Sequence, residues 1–312
     1  MHLEYRALRE HAGVIERTDR GRLRLRGADR LPYLHGLLSN DVLTLAPGDW
    51  RYATLLTPQG RMISDMRVFE LGDFTLLDLP IQVTIAIREH LDRFIITEDV
   101  TVEDVTEEWA QVGLYGPHAA AILDSIRQGA GPAPLHVLPS SDLGVEGVDL
   151  IVKGQDAAGF VDALVSAGAT RSSLDTMEVT RVEAGIPRFP VDMDTTTIPL
   201  EAGIEDRAIS LTKGCYVGQE VIIRVLHRGG GRVAKKLVGL TAGDNAIAAG
   251  DTVHAADREI GRVTSAVRSP RSDQWIALAY LQRDFVEAGT PVEVATQTGL
   301  VPAAVRTPPG PA

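Results

Sequence analysis

The segment Lys213-Gly214-Cys215-Tyr216-Val217-Gly218-Gln219-Glu220 is the densest chemical constellation in the chain. Cys215 is the only cysteine, and glycines on both sides let the backbone turn sharply or approach a ligand closely. Lys213, two residues away, would favour the thiolate if it lies nearby in space. A helix starting at Gly218 would do the same through its N-terminal dipole, although Val221-Ile222-Ile223 also suits a strand. The plain alternative is a buried structural cysteine in a tight turn. A single thiol forms neither an internal disulfide nor a four-cysteine metal cage.

Two carboxylates stand where carboxylates are disfavoured. Asp65 falls inside a strand-like run, Arg61 to Leu71, and shares its side of the pleat with Ile63, Arg67 and Phe69. It either pairs with Arg67 or faces a cavity as a hydrogen-bond acceptor or general base. Glu183 falls in the last turn of a helix expected over 175–184, at the negative end of the dipole. It needs a cation or ligand donors there. A surface pair with Arg181 or Arg188 would serve, and so would the amino-pyrimidine edge of a molecule such as a pterin, which presents two parallel N–H groups.

From Val221 to Gly243 there is no acidic residue, while Arg224, Arg228, Arg232, Lys235, Lys236 and His227 all fall in that stretch. The run suits an anion such as a carboxylate tail or phosphate, or else a solvated inter-domain face. The histidines form no pair at helical metal-ligand spacing, Asp192-Met193-Asp194 alone is a weak metal signal, and no P-loop or dinucleotide fingerprint is present.

The elements that must hold these groups alternate between strand and helix periods. Strands are expected at Arg22–Arg26, Trp50–Thr57, Arg61–Leu71, Val112–Tyr115 and Val148–Val152, the second and third joined by a Pro58-Gln59-Gly60 turn. Helices are expected after Asp29, through Val83, Ile87, Leu91 and Phe94, after Gly116-Pro117, and through Phe160 and Leu164. Asp29 is placed to cap the first of them. Gly185 and Pro187 stop the 175–184 helix, and Ile186–Ser210 reads as a long ordered loop. Past Gly229-Gly230-Gly231 only short strand runs follow, which makes a small β-barrel or sandwich. The fold class is therefore α+β, with residues 1–228 as one region of two intertwined subdomains, 232–305 as the barrel and 306–312 as a disordered tail.

With 31 basic and 42 acidic residues the formal charge is −11, which repels phosphate backbones, so no direct nucleic-acid partner is expected. No apolar run reaches the ~18 residues of a membrane span, and Met1-His2-Leu3-Glu4 opens no leader. A cytoplasmic monomer is the expectation.

Lys213 to Glu220 resembles the K-G-C-Y-x-G-Q-E signature of the YgfZ-type folate-binding proteins, relatives of the glycine-cleavage T-protein. Arg181 to Pro187 is similar to that family's R-x-E-A-G-I-P, Ser39-Asn40-Asp41-Val42 to its T-N-D-V, and Gly60 to Asp65 to its G-R-x-x-x-D strand. The resemblance implies folate-binding domains around a central cavity and a C-terminal barrel. It places Asp65 at the reacting edge of tetrahydrofolate and Glu183 on the pterin, with Arg181 and Tyr216 as further binding residues, while the acid-free run offers Arg224, Arg228 and Arg232 to a folate's carboxylate tail. Cys215, Lys213 and Asp65 become the chemical groups, and iron–sulfur client or assembly proteins the partners, with an indirect effect on tRNA modification. The T-protein's G-Y-T-G-E-type segment is replaced by Leu143-Gly144-Val145-Glu146-Gly147, which departs from glycine-cleavage activity. A one-carbon transferase using Asp65 as acid/base is the alternative, and a redox or scaffold protein acting through Cys215 is a third.

Overall fold

The computed structural model describes residues 2–128, 133–228 and 230–307, without the side chain of Arg228. The chain opens with α1 (His2–Glu10), β1 (Gly13–Glu16), β2 (Arg20–Arg26) and α2 (Arg30–Leu37). The strands β3 (Trp50–Leu56), β4 (Met62–Glu70) and β5 (Thr75–Pro80) lead to α3 (Thr84–Asp92), β6 (Thr101–Asp104) and β7 (Trp109–Tyr115). Next come α4 (Ala119–Gln128), β8 (His136–Ser140), β9 (Gly147–Lys153), α5 (Ala157–Ser166), β10 (Thr170–Arg171) and α6 (Leu174–Ala184). Short helices α7 (Pro199–Ala202) and α8 (Glu205–Ala208) precede α9 (Gln219–Arg228). The last strands are β11 (Lys235–Gly243), β12 (Thr252–Ala255), β13 (Arg258–Ser269), β14 (Gln274–Gln282), β15 (Pro291–Thr296) and β16 (Gly299–Arg306).

These elements form two compact units, each gathered from separated stretches of chain. The first takes residues up to Thr18, Glu108–Pro187 and the chain from Leu237 onward. Its five-stranded sheet runs β10-β1-β7-β9-β8, with α4 and α5 burying Ile122, Leu123, Phe160 and Leu164 against Val112, Leu114, Leu150 and Val152. Its second part is the closed barrel β11-β14-β13-β12-β15-β16, filled by Leu240, Val253, Val263, Leu281 and Val294. Helix α6 lies on that barrel: Val179 and Val182 meet Val267, Ile276 and Leu278.

The second unit takes Asp19–Glu107 and Arg188–Lys236. Its sheet runs β3-β4-β5-β2-β6. Leu34, Leu37, Ile87 and Leu91 of α2 and α3 bury one core with Leu23, Met66, Val68 and Leu77. The α+β class is thus the observed one, and the run after Gly231 does close as a barrel.

Several local expectations change. Asp29 sits at the N-cap position of α2 without capping it; its carboxylate instead accepts from the Asp99 amide at 2.8 Å. The expected apolar stripe of α3 ends early, since Phe94 falls beyond the helix and is 46% exposed. Gly185 adopts φ +76° and stops α6, a conformation a side chain resists. The stretch Ile186–Ser210 packs as an ordered loop through buried Phe189, Met193 and Leu200, with α7 and α8 inside it. Arg306, expected to begin the tail, closes β16 and donates to the α6 carbonyls of Val182 and Glu183. The rest of the expected tail, from residue 308, lies outside the described residues.

Candidate functional site

Asp65 stands in the middle of β4, in the second unit, and its side chain is 7% exposed. β3 and β4 pair antiparallel, with Thr54 opposite Asp65 and Tyr52 opposite Arg67. Tyr52 is therefore the diagonal neighbour of Asp65 on one face, and its hydroxyl donates to Asp65 Oδ2 at 2.8 Å. The Arg207 guanidinium lies over the Tyr52 ring, 4.5 Å from its centroid. Asn40 joins them through its amide, which donates to the carbonyls of Tyr52 at 2.8 Å and Arg207 at 2.9 Å.

Arg67, the expected partner of Asp65, also meets a second carboxylate. Arg67 faces Asp78 across β4 and β5, and both its Nε and Nη2 donate to that carboxylate. Arg20 adds a third donor to Asp78 at 2.6 Å. A buried charge asks for opposite charge, and Asp78 meets two guanidiniums there. Asp65 accepts from the Tyr52 hydroxyl on the same buried polar face as Arg67.

The Cys215 loop, in the same unit, has the exposed thiol and the following helix that its sequence allows. Cys215 is exposed. The element that follows is a helix, α9, which begins at Gln219. Lys213, 8% exposed, directs its ammonium at three backbone carbonyls: His35 at 2.5 Å, Leu38 at 2.6 Å and Asn40 at 3.2 Å. Burial pulls its pKa down to about 8, with Asp41 acting in the opposite direction, so it is still a cation at neutral pH. Tyr216 is buried beneath that ammonium, 4.9 Å from Nζ to ring centroid, and burial pushes its phenol up to about 12. The geometry makes Lys213 a donor to three backbone carbonyls of the 35–40 stretch.

Arg224 is exposed on α9, and the Arg228 side chain lies outside the described residues. The acid-free run is not acid-free in space. Lys235 acts electrostatically on Asp194 and Glu201, and Lys236 on Glu205, so both face carboxylates from the α7–α8 region. Burial nevertheless leaves Glu201 and Glu205 with raised pKa values.

Glu183 and Arg181 belong to the first unit. Glu183 is 8% exposed; Oε2 accepts from Tyr5 at 2.7 Å and from Arg9 at 2.9 Å, and Oε1 accepts from Ser269 at 2.5 Å. Three of a carboxylate's roughly four acceptor positions are thus taken by protein groups. The compensating cation is Arg9, not Arg181 or Arg188, with Arg306 on the neighbouring carbonyls. Tyr5 rises to about 12, through burial and its bond to Glu183. Arg181 is buried at 2% exposure and bonds Glu178, the Ile186 carbonyl and Ser265, ties that hold α6 to its own turn and to β13.

Sequence reasoning missed Tyr52, Arg207, Tyr5, Arg9 and Ser269. Only Tyr52 left a trace, because the Pro58-Gln59-Gly60 turn places it across a hairpin from β4. The others come from stretches far away in the chain.

Among the described residues no group of three or more His, Cys, Asp or Glu could hold a metal ion. No described helix is long and apolar enough to cross a membrane.

The GCVT N-terminal domain matches residues 1–213, and the glycine cleavage T-protein C-terminal barrel domain matches residues 235–310. An aminomethyltransferase of Rubrobacter xylanophilus is 31% identical over 297 residues, 89% of this chain and 78% of that one. An aminomethyltransferase of Geobacillus kaustophilus is 29% identical over 314 residues, 93% of this chain and 85% of the relative. The crystal structure of glycine cleavage system aminomethyltransferase T from Bartonella henselae has the same fold, with a TM-score of 0.86 at 21% identity over 98% of this chain and 88% of that one. With both domain matches in order along its length, this chain belongs to the glycine cleavage T-protein family.

Proposed function

We propose that this chain binds tetrahydrofolate or a one-carbon derivative of it, with Asp65 addressing the reacting edge. The observation that carries this reading is Asp65 itself: a buried carboxylate in the middle of a strand, which accepts from the Tyr52 hydroxyl at 2.8 Å. That donor set fits a folate, whose ring nitrogens offer N–H groups to a carboxylate. Tetrahydrofolate, when bound, supplies amine nitrogens that carry a one-carbon unit. Asp65 would accept or return a proton through its carboxylate, Tyr52 would fix the rotamer of that carboxylate through Oδ2, and exposed Arg224 could meet a carboxylate tail. Calorimetry with tetrahydrofolate should give binding that Asp65→Asn weakens by about 1.5–3 kcal/mol. Equal affinities for the two proteins would remove Asp65 from the site.

Two roles are compatible with such binding. In the first, the protein is of the YgfZ type and supports assembly or repair of iron–sulfur enzymes, affecting tRNA modification through them. That role rests on the Lys213–Glu220 segment and on the exposure of Cys215. In the second, the chain transfers aminomethyl groups with Asp65 as acid/base, and the names of its relatives support this role more directly. A glycine-cleavage assay separates them. Turnover lost in Asp65→Asn and retained in Cys215→Ala supports the transferase. No turnover, together with iron–sulfur enzyme activities that fall in cells carrying Cys215→Ala, supports the accessory role.

A further inference from the structure

We propose that Lys213 is a positioning residue whose ammonium is a built-in cation, filling a cage of backbone carbonyls at the end of α2 and fixing the loop that presents Cys215. The inference is independent of the folate reading, since none of its observations involves Asp65 or a ligand.

A helix leaves its last carbonyls without internal donors, and they carry the negative end of its dipole. Here the carbonyls of His35, in the last turn of α2, and of Leu38, its C-cap, point at one nitrogen together with that of Asn40. An ammonium has three N–H groups and no acceptor, so three carbonyls use its whole donor capacity. The Tyr216 ring, 4.9 Å from Nζ, closes the remaining side as a cation–π face. Four groups converging on one buried nitrogen, from two stretches more than 170 residues apart, make a cation cage whose cation is covalently supplied.

The cage lies beside the loop's other ties. The Ser210 amide donates to the Ser39 carbonyl at 3.1 Å, and the Lys213 amide donates to Ser210 Oγ at 3.2 Å. Ser39 Oγ donates to the Ala208 carbonyl at 2.7 Å. These bonds seat residues 208–210 without help from the ammonium. Beyond them, residues 211, 212, 214 and 215 are exposed, and between Ser210 and Tyr216 only Lys213 is buried. Lys213 and Tyr216 are therefore the two buried anchors that flank Cys215, and the ammonium holds the N-terminal side of the loop.

The test uses the full chain with Lys213→Ala, in which the removed atoms correspond to n-propylammonium. Two local readouts are followed at pH 7: hydrogen exchange of the Lys213-to-Tyr216 amides and the rate of Cys215 alkylation by iodoacetamide. Loss of a charged hydrogen-bond cluster should speed exchange of these amides about tenfold or more, with a changed alkylation rate. Added n-propylammonium should restore both. Tetramethylammonium, which has no N–H donor, and n-propanol, which has no charge, should not. Unchanged exchange and alkylation in the variant overturn the proposal, and so does equal restoration by propanol or tetramethylammonium. Should Lys213→Ala fail to fold, Lys213→Met keeps the stem and removes only the ammonium. Faster loop exchange in that variant, with an unchanged Tm, supports the cage, and wild-type exchange overturns it.

Discussion

Carboxylates that looked alike in the sequence have different situations in the fold. Glu183 is largely occupied by protein donors: Tyr5, Arg9 and Ser269 all donate to it. Removing it in Glu183→Ala should therefore cost about 2–3 kcal/mol of stability, the worth of charged hydrogen bonds whose buried donors are left unmet. Urea unfolding measures this, and an unchanged midpoint would show that these donors find other partners. Beside it, Gly144 has φ +65°, and a Cβ built there would fall 2.2 Å from that of Ala184. Gly144→Ala combines overpacking with a strained backbone and should lower stability by about 1–3 kcal/mol; a thermal melt within error of the native one would show that the loop moves aside. Asp65, by contrast, has as a donor the phenol of Tyr52, from the adjacent strand of its own sheet. The sequence allowed both positions to be singled out, because a carboxylate in a strand centre or at a helix C-terminus conflicts with local physics. Their partners were not legible: Arg9 and Ser269 lie 174 and 86 residues from Glu183, and no local pattern encodes such a distance.

Whole elements show the same division between what is local and what is not. Helices α5 and α6 and the hairpin of β3 and β4 were readable, since period, caps and turn residues lie within the element. The register of that hairpin was not, because it shifts between Leu55 and Leu56, and such an irregularity redirects side chains without a sequence cost. Nor was the docking of α1 on the start of α6. Ser173 caps α6 by accepting from the Thr176 amide, and Glu4 of α1 in turn accepts from the Ser173 amide, the Ser173 hydroxyl and the Thr176 hydroxyl. Burial alone would raise the Glu4 carboxyl, but these hydrogen bonds outweigh it and hold it at about 2 instead of 4.5. A depressed folded pKa means stability that is fully present above the unfolded value and is lost as pH falls through the folded one. The stability difference between the wild-type chain and Glu4→Gln should be constant above pH 5 and shrink between about 4.5 and 2. Urea midpoints at a series of pH values measure it, and a difference that stays flat to pH 2 would detach α1 from this carboxylate.

For the molecule as a whole, the barrel is less of an appendage than its place at the end of the chain suggests. Tyr5, Val179 and Val182 share one apolar cluster with Val267, Ile276 and Leu278, and Arg306 holds the end of α6. A chain ended at residue 236 should leave the first unit unprotected, so limited proteolysis should cut first within residues 108–187. Equal resistance there in the full and shortened chains would mean that this unit stands without its barrel. Periodicity revealed that a barrel exists, yet nothing local to its strands reveals that it completes a unit begun by residues 1–18. The same arrangement sets an order of events during synthesis. The stretches of the second unit are complete once Lys236 is made, whereas the first still lacks the strands through Arg306. At ~5–20 residues per second that interval lasts about 4–14 s. Throughout it Tyr5 of α1, made well ahead of the barrel, has Val179, Val182 and Glu183 beside it but still lacks Val267, Ile276 and Leu278, so an apolar face made early is among the last to be covered.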